Sequence, residues 1–379
     1  MRHLLTDVAS SLVPSRLRRS GDVPTSVEQI TPQWLTSVLP GRVDAVKVLE
    51  SDEGTTLRAR LELTGEAQTA RSVFVKLTPS RQPERALATA IRLCENEINA
   101  YIRLHGDVAA AMPPVHLARW ESRTGASILV VDDLTVAGYR FADVTTPCSP
   151  SEATAVAVAL GQIHGRLALS ANSGLDVTPF IESAHRLSRV RGLTSLVLQH
   201  PRRGIVDLIP ESTRRQAVIL RTRRSEIGGL LTSLPSTIQH GDTHRGNVAF
   251  GPNDAVVLVD WQVAGVGPLL KDLAYFTATS LEPVTRREHE KALVQQYLVS
   301  LGMAGGPILD FGDAWRIYRA LLFTAYEAAV MTAAFGSRLQ SAESAADGVR
   351  RAVAAVDDLD SFDCLAYLLD HRWVVASGR

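Results

Sequence analysis

The chain has 379 residues, and its 40 lysines and arginines balance its 40 aspartates and glutamates, so the formal net charge is zero. This length favours two or three compact units. A neutral chain lacks the basic surface of a general nucleic-acid binder, so we expect no nucleic-acid partner. No apolar run reaches the roughly 18 residues that a membrane span needs. The three cysteines match no metal or redox spacing and favour a cytoplasmic location.

The first third of the chain predicts a small sheet with one prominent helix. Alternating or β-branched apolar residues indicate its strands. The strands are expected at residues 43–49, 57–63, 72–77 and 127–131. A polar turn is expected at 51–56, between the first two strands. Over residues 85–105 the apolar positions recur every three or four residues, which predicts a helix.

The remainder of the chain is predicted to be mostly helical. After a polar connector at 135–149, the pattern Ser149-Pro150-Ser151-Glu152 combines a capping box with proline at the first helical position and starts a helix that runs to about residue 169. Residues 181–230 are helical and basic in pattern. Short strands are expected at 237–239, 248–250 and 255–259. Helices resume at about residue 270.

The densest cluster of reactive side chains spans His240–Asn247, and Asp260 follows thirteen residues later. The turn at 251–254 predicts a hairpin in which Phe250 lies opposite Ala255 and Asn247 lies opposite residue 258. Asp260 would then be one diagonal step from Asn247, at a distance that allows a shared ion.

Oxygen ligands from an amide and a carboxylate suit Mg²⁺, a hard cation, so Asn247 and Asp260 are the candidate metal ligands. Asp242 precedes the predicted hairpin on the same loop. Its carboxylate would be placed to accept a proton from an alcohol nearby, and Asp242 is the candidate catalytic residue.

These residues resemble a known motif. The pattern His240-x-Asp242-x4-Asn247, followed by Asp260-Trp261, is similar to that of the aminoglycoside phosphotransferases and the related choline-, sugar- and ecdysteroid-type kinases. The segment 267–274, Gly-Pro-Leu-Leu-Lys-Asp-Leu-Ala, is also similar to a segment of that family. The resemblance covers roughly residues 40–335 and is strongest over 238–276.

The resemblance implies an α+β, protein-kinase-like bilobal fold, with a small β-rich N-lobe containing one main helix and a larger, mainly helical C-lobe. The expected organisation is an N-terminal arm at 1–22, an N-lobe at 23–134 and a C-lobe at 135–379. The implied enzyme is a phosphotransferase that uses ATP and Mg²⁺ and has a small-molecule hydroxyl as acceptor.

A kinase also needs a lysine on an N-lobe strand, paired with a glutamate on the next helix. The chain has only four lysines, and Lys76 ends a predicted strand. Glu95 and Glu97 both flank the apolar stripe of the predicted helix. Glu97 is the better candidate because the segment 97–101 resembles the family pattern E-x-x-x-Y.

Two further segments are implied as nucleotide contacts. The loop between the first two strands would cover the phosphates through Gly54, Thr55 and Thr56, although it lacks the glycine-rich pattern of protein kinases. The hinge after the fourth predicted strand would bind adenine through its backbone. Its residues are Val131, Asp132 and Leu134. The side chain of Asp132, like that of Asp133, is expected to cap or bridge.

Three residues are expected to support the catalytic loop. His240 would hold the loop through backbone hydrogen bonds. His244 would either orient Asp242 or approach the γ-phosphate, and the sequence leaves these two roles open. Asp272 is expected to be a buried cap for the loop 240–247 more readily than a metal ligand.

Two other classes of protein remain alternatives. A metal-dependent hydrolase could use the cluster of His240, Asp242 and His244 with Asp260. A non-catalytic kinase-like module could bind nucleotide without transferring phosphate.

The acceptor is not identified by sequence. Aminoglycosides require acidic partners, but residues 181–230 are basic. Acidic residues are concentrated instead at 343–363, and the sequence does not show which of the two segments faces an acceptor. A sugar, sterol or other alcohol metabolite is as plausible as an antibiotic.

Overall fold

The computed structural model describes residues 23–66, 70–81, 88, 89, 91–142, 146–170, 174–199, 207–335 and 342–371, with only the backbone described at 189–199 and 335. Contacts within these ranges define two compact units, which divide between Arg140 and Phe141. The predicted arm at 1–22 lies outside the described residues. The predicted lobe limits, 23–134 and 135–379, stay predictions.

The first unit is built on a five-stranded antiparallel sheet with the order β1–β2–β3–β5–β4. Its strands are β1 (Val43–Glu53), β2 (Leu57–Gly65), β3 (Ser72–Leu77), β4 (Val115–Trp120) and β5 (Ser127–Asp132). The buried face of the sheet includes Leu61, Val73 and Ile128, and Leu35 of the short helix α1 (Pro32–Thr36) belongs to the same core. Burial of this apolar face is the main stabilising contribution in the unit.

The first hairpin is longer than predicted. The sequence places a polar turn at 51–56, whereas β1 continues to Glu53, which pairs with Leu57. Only residues 54–56 lie outside the strands. The polar residues of β1 are compatible with a strand because they lie on an exposed edge, where the Nε atom of Arg58 donates to Asp52 across the pair at 3.2 Å.

The main helix of the first unit is α2 (Leu93–Val108). It begins after Arg92, which has a left-handed backbone with φ of 55°. Residues 85–87 and 90 of the predicted helix lie outside the described residues. Of the apolar positions in the predicted stripe, Cys94 and Ile98 are buried and Ile102 is half-buried, while Tyr101 and Leu104 complete the buried face.

The second unit is mainly helical, which confirms the predicted α+β class. Its helices are α3 (Pro150–Arg166), α4 (Thr178–Gln199), α5 (Glu211–Gln216), α6 (Ile219–Thr222), α7 (Arg224–Ser233), α8 (Lys271–Ser280), α9 (Pro283–Met303), α10 (Phe311–Leu321), α11 (Phe323–Phe335), α12 (Ala342–Asp358) and α13 (Ser361–Asp370). Its strands are β7 (Ser236–Gln239), β8 (Val248–Phe250), β9 (Val256–Leu258) and β10 (Gly265–Pro268), and β6 (Arg140–Phe141) lies at the division of the units. No helix among the described residues has the length and apolar content needed to cross a bilayer.

Helix α3 begins at the predicted capping box, in which Ser149 and Glu152 exchange backbone and side-chain hydrogen bonds. Two glycines then allow α9 to approach closely. A Cβ atom at Gly161 would lie 2.5 Å from the Tyr297 carbonyl oxygen, and one at Gly165 would lie 2.5 Å from that of Leu301. This close approach places His164 of α3 against Tyr297 of α9, beneath the loop that carries the reactive residues.

The hairpin β8–β9 forms with a register one residue away from the predicted one. Phe250 pairs with Val256, and Val248 pairs with Leu258. The reason is the turn. The Gly251 amide donates to the Ala255 carbonyl oxygen, so only three residues form the loop, and Asn253 and Asp254 both adopt left-handed backbones. Asn247 therefore lies opposite Val259, whose amide donates to the Asn247 carbonyl oxygen at 3.0 Å.

Candidate active site

The loop His240–Asn247 leaves strand β7, which pairs with β10. Its path requires a glycine at 241. Gly241 has φ of 86°, and a Cβ atom there would lie 2.6 Å from the Val263 carbonyl oxygen. The loop ends in a 3-10 turn, Arg245–Asn247, and leads directly into β8.

Asp242 projects from this loop with about a quarter of its side chain exposed, and three side chains surround its carboxylate. The Tyr275 hydroxyl donates to Oδ1 at 2.9 Å. The Asn247 amide donates to Oδ2 at 3.3 Å, and the His244 Nε2 atom lies 3.6 Å from the same oxygen. The carboxylate is thus held in one orientation. Its Oδ1 atom has the short contact, to Tyr275, and its Oδ2 atom has the two longer contacts, to Asn247 and His244.

Tyr275 is not among the site residues predicted from the sequence. A signal was available, because Tyr275 lies three residues after Asp272 on α8, and residues three apart share a helix face. A residue on that face of α8 is expected to contact the same loop that Asp272 caps.

Asp272 is buried, and its carboxylate lies against the start of the loop. Its carboxylate accepts hydrogen bonds from the backbone amides of His240 at 2.8 Å and Gly241 at 3.1 Å. It also accepts a hydrogen bond from His164 Nε2 at 3.2 Å. Burial by itself would raise the pKa of Asp272, but the hydrogen bond from His164 and the nearby positive charge of Lys271 outweigh it and hold the pKa at about 2. The loop is therefore anchored on a permanently ionised group.

His164 is itself fixed from the other side. Its Nδ1 atom lies 2.8 Å from the Tyr297 hydroxyl. With Nε2 donating to Asp272, the neutral form of the ring accepts from the Tyr297 hydroxyl at Nδ1. Burial raises the pKa of Tyr297, so this hydroxyl keeps its proton. A chain of buried donors thus extends from α9 through α3 to the loop.

His240 uses both ring nitrogens within the protein. Its Nε2 atom donates to the Val259 carbonyl oxygen at 2.8 Å, and its Nδ1 atom accepts the Asp242 amide at 3.3 Å. The ring packs edge-on against buried Trp261 at 4.8 Å. Burial lowers the pKa of His240, which favours the neutral ring. This residue fits the predicted loop-holding role, and neither nitrogen is placed to bind a metal.

His244 is the partly exposed histidine of the loop. Its Nδ1 atom accepts the Gly246 amide at 3.1 Å, which leaves the proton on Nε2. Nε2 faces the Asp242 carboxylate at 3.6 Å. Of the two roles left open by the sequence, this geometry fits the orientation of Asp242.

Asn247 and Asp260, the predicted metal ligands, are brought together by the hairpin. The Asn247 amide nitrogen donates to the Asp242 carbonyl oxygen at 2.9 Å, which identifies Oδ1 as the atom suited to a cation. Asp260 follows the residue paired with Asn247, and its backbone is left-handed with φ of 68°. A strained non-glycine residue of this kind is typical of functional sites.

The donor set fits Mg²⁺, which takes one or two protein oxygen ligands together with substrate phosphates. Among the described residues, no group of three or more histidine, cysteine, aspartate or glutamate side chains is arranged to hold a metal ion. A pair such as Asn247 and Asp260 is smaller than the clusters that a zinc or dinuclear hydrolase uses.

In the first unit, Lys76 of β3 and Glu97 of α2 form a buried ion pair. Lys76 Nζ lies 2.7 Å from a Glu97 carboxylate oxygen, and the side chains are only 7% and 4% exposed. Glu95, the other candidate, lies 3.4 Å from Arg92 instead. The lysine and glutamate chosen from the sequence are thus brought together.

The other predicted nucleotide contacts also lie in the first unit. Gly54, Thr55 and Thr56 form the tight turn between β1 and β2, in which the Gly54 amide donates to the Thr56 carbonyl oxygen. Val131 and Leu134 are buried. The Asp132 carboxylate lies 2.7 Å from the His116 ring, so this side chain bridges within the unit, as expected.

Asp133 is likewise engaged within the first unit. Its carboxylate accepts hydrogen bonds from the side chains of Ser72, Arg60 and Thr135. Burial alone would raise the pKa of Asp133, but these hydrogen bonds outweigh it and lower the pKa. Both hinge carboxylates therefore have partners within the unit.

The antiparallel sheet with a buried lysine–glutamate pair, the loop that carries Asp242 and Asn247, and Asp260 at the end of the following hairpin define a kinase-like phosphotransferase. The comparison with family models agrees. Residues 68–321 match the model of the phosphotransferase enzyme family (APH), and the chain belongs to this family. It is a small-molecule kinase, as the sequence predicts.

The chain is also similar to solved structures. An ethanolamine kinase from Plasmodium vivax is 13% identical, with 84% of each chain covered and a TM-score of 0.52. A choline kinase from Streptococcus pneumoniae is 14% identical, with 83% of this chain and 94% of that chain covered and a TM-score of 0.46. The first likeness confirms the predicted protein-kinase-like fold. No curated protein matches this chain significantly in sequence.

Proposed function

We propose that this protein transfers the γ-phosphoryl group of ATP, with Mg²⁺, to a hydroxyl group of a small molecule. The observation that carries the proposal is the orientation of the Asp242 carboxylate. Three side chains hold it, and one of them, Asn247, has a backbone carbonyl that accepts from Val259, the residue before Asp260. Phosphoryl transfer depends mainly on such positioning and on charge stabilisation.

Asp242 is proposed to align the acceptor hydroxyl and to take its proton. Oδ1 already accepts the short hydrogen bond from Tyr275, so Oδ2 is the better acceptor for that proton. His244 and Asn247, which contact Oδ2 at longer distances, would keep the carboxylate oriented as the proton moves. The anchored loop limits the reorganisation that this step needs.

The remaining groups are proposed to handle the nucleotide and its metal. Bound Mg²⁺ would neutralise charge on the phosphates. Asn247 and Asp260 would hold the ion. Lys76, kept in place by Glu97, would contact the phosphates, and the backbone at 131–134 would bind adenine.

The alternatives have less support. A metal-dependent hydrolase needs ring nitrogens for its metal, and both nitrogens of His240 are already hydrogen-bonded to the backbone. A non-catalytic module would not need an oriented carboxylate at 242. The three cysteines are free and buried, which fits the proposed cytoplasmic location.

The affinity of the Lys76→Met variant for Mg-ATP, compared with that of wild type, tests the proposal. Lys47→Met is the matched control. Lys47 lies on strand β1 of the same sheet. Its ion pair with Glu62, at 3.5 Å between Nζ and a carboxylate oxygen, is exposed, whereas that of Lys76 is buried. Loss of a charged phosphate contact worth about 2 kcal/mol predicts roughly 30-fold weaker Mg-ATP binding by Lys76→Met in calorimetry, with no change for the control. Wild-type protein that binds no Mg-ATP would contradict the proposal.

A further inference from the structure

A pocket inside the second unit adjoins the proposed base. It encloses about 460 Å³, part of it open to solvent. Two residues that line it, His244 and Tyr275, are the same residues that contact the Asp242 carboxylate. A ligand in this pocket would therefore lie beside the groups that orient Asp242. The inference drawn from it rests on the proposed function.

The wall of the pocket is rich in hydroxyl groups. Besides Tyr275, the hydroxyl-bearing residues that line it are Thr279, Thr332 and Ser344. Hydroxyl groups donate and accept hydrogen bonds, so they are suited to a ligand that carries hydroxyl groups of its own. Among the described residues that line it, none carries a carboxylate.

Arg351 is the permanently charged residue of the wall, and its charge is balanced. Its side chain is 2% exposed and contacts Glu282 at 2.8 Å and Asp347 at 2.7 Å. Arg350 contacts the same two acids, at 3.0 and 2.7 Å. Two arginines and two acids together carry no net charge, and neither acid lines the pocket.

The acidic segment at 343–363 therefore does not create an acidic pocket. Asp347 forms ion pairs with Arg350 and Arg351, and Asp358 forms an ion pair with Arg287 at 2.7 Å. Asp357 accepts the Thr213 hydroxyl at 2.8 Å. An ammonium group that entered the pocket would meet hydroxyl oxygens and an arginine but, among the described lining residues, no carboxylate, so its lost hydration would be only partly compensated.

Gly348 gives the pocket its room. It lies within α12 and lines the pocket, and a Cβ atom added there would meet nothing within 4 Å. Glycine inside a helix is destabilising relative to alanine, so Gly348 lowers the intrinsic stability of helix α12. Any side chain at 348 would project toward the space that a ligand needs.

We infer that this pocket binds the phosphoryl acceptor, that the acceptor is an uncharged molecule rich in hydroxyl groups, and that Gly348 sets the size accepted. A polycationic acceptor is disfavoured because the lining offers it no carboxylate. The pocket thus selects by charge and by volume.

The test measures ADP release from Mg-ATP with neutral hexoses, hexitols and glycosides, each paired with its amino-substituted counterpart. The expected kcat/KM is about tenfold or more higher for the neutral member of a pair, because an unpaired ammonium loses its hydration. Aminated members that react faster would overturn the inference. So would a protein that binds Mg-ATP yet accepts no neutral member. Protein that fails to bind Mg-ATP would instead count against the proposed function.

Two substitutions at Gly348 test the volume. With the best neutral acceptor, Gly348→Leu is expected to raise the acceptor KM about tenfold or more and Gly348→Ala by less, with the Kd for Mg-ATP as a second readout. Gly228→Leu is the matched control. Gly228 is also helical with nothing within 4 Å of an added Cβ, but it is exposed and does not line the pocket. An unchanged acceptor KM in both Gly348 variants would overturn the assignment.

Discussion

Two buried carboxylates hold the reactive groups of this protein in different ways. In the first unit, Glu97 accepts the side chain of Lys76. In the second unit, Asp272 accepts the backbone amides of His240 and Gly241. Substitution can remove a side-chain donor together with the carboxylate that it pairs with. Backbone amides remain after any substitution of the carboxylate and then need another acceptor. The comparison predicts that the first carboxylate is dispensable for folding and the second is not.

The largest effect is expected from Asp272→Ala. The change leaves two buried backbone amides and the His164 ring without their acceptor, and the expected loss is about 3–5 kcal/mol in the free energy of unfolding. Chemical denaturation measures it. Asp207→Ala, at an exposed position, is the control and should change stability little. A loss below about 1 kcal/mol for Asp272→Ala would show that the loop is not anchored there.

A smaller effect is expected at the buried pair, and this effect should be reversible. Lys76→Met leaves the Glu97 charge buried and is expected to cost about 3 kcal/mol. Adding Glu97→Leu removes that charge, so the double variant should recover most of the stability. A denaturation midpoint for the double variant no higher than that of the single one would contradict the comparison. Mg-ATP binding should stay weak in both variants, because the ammonium is absent.

The pH dependence of stability is expected to distinguish Asp272 by about 2 kcal/mol. Its pKa is about 2 in the folded protein against an ordinary value of 3.8, so its ionised form stabilises the fold above about pH 4. As the pH falls through about 2, this contribution is lost. The difference in unfolding free energy between wild type and Asp272→Asn should therefore be constant near neutral pH and shrink between pH 4 and 2. A difference that does not change with pH would contradict the low pKa.

Much of the site could be predicted because its residues lie close together in sequence. His240, Asp242 and Asn247 share one loop, and the apolar strand that Lys76 ends was visible from its pattern. The hairpin register was wrong by one residue, because the left-handed backbones of Asn253 and Asp254 are not evident from composition. Asp260 still directly follows the residue that pairs with Asn247, since a shift of one residue is small.

Contacts between distant segments could not be predicted. The hydrogen bond from Tyr275 to Asp242 depends on how α8 packs against the loop. The charge of the pocket depends on Glu282, some 70 residues before Arg351 in sequence. The acidic composition of 343–363 suggested an acidic surface, but the arginines that neutralise it come from other helices as well as its own.

The most direct test of the proposed chemistry compares wild type with Asp242→Asn. The measurements are transfer of the γ-phosphoryl group from Mg-ATP to the best acceptor of the paired panel, and the Kd for Mg-ATP. Asparagine keeps the shape and cannot take the proton, so kcat should fall by roughly 10²–10⁴-fold while the Kd stays within about twofold. Turnover by Asp242→Asn within about tenfold of wild type would contradict the assignment of Asp242 as the base.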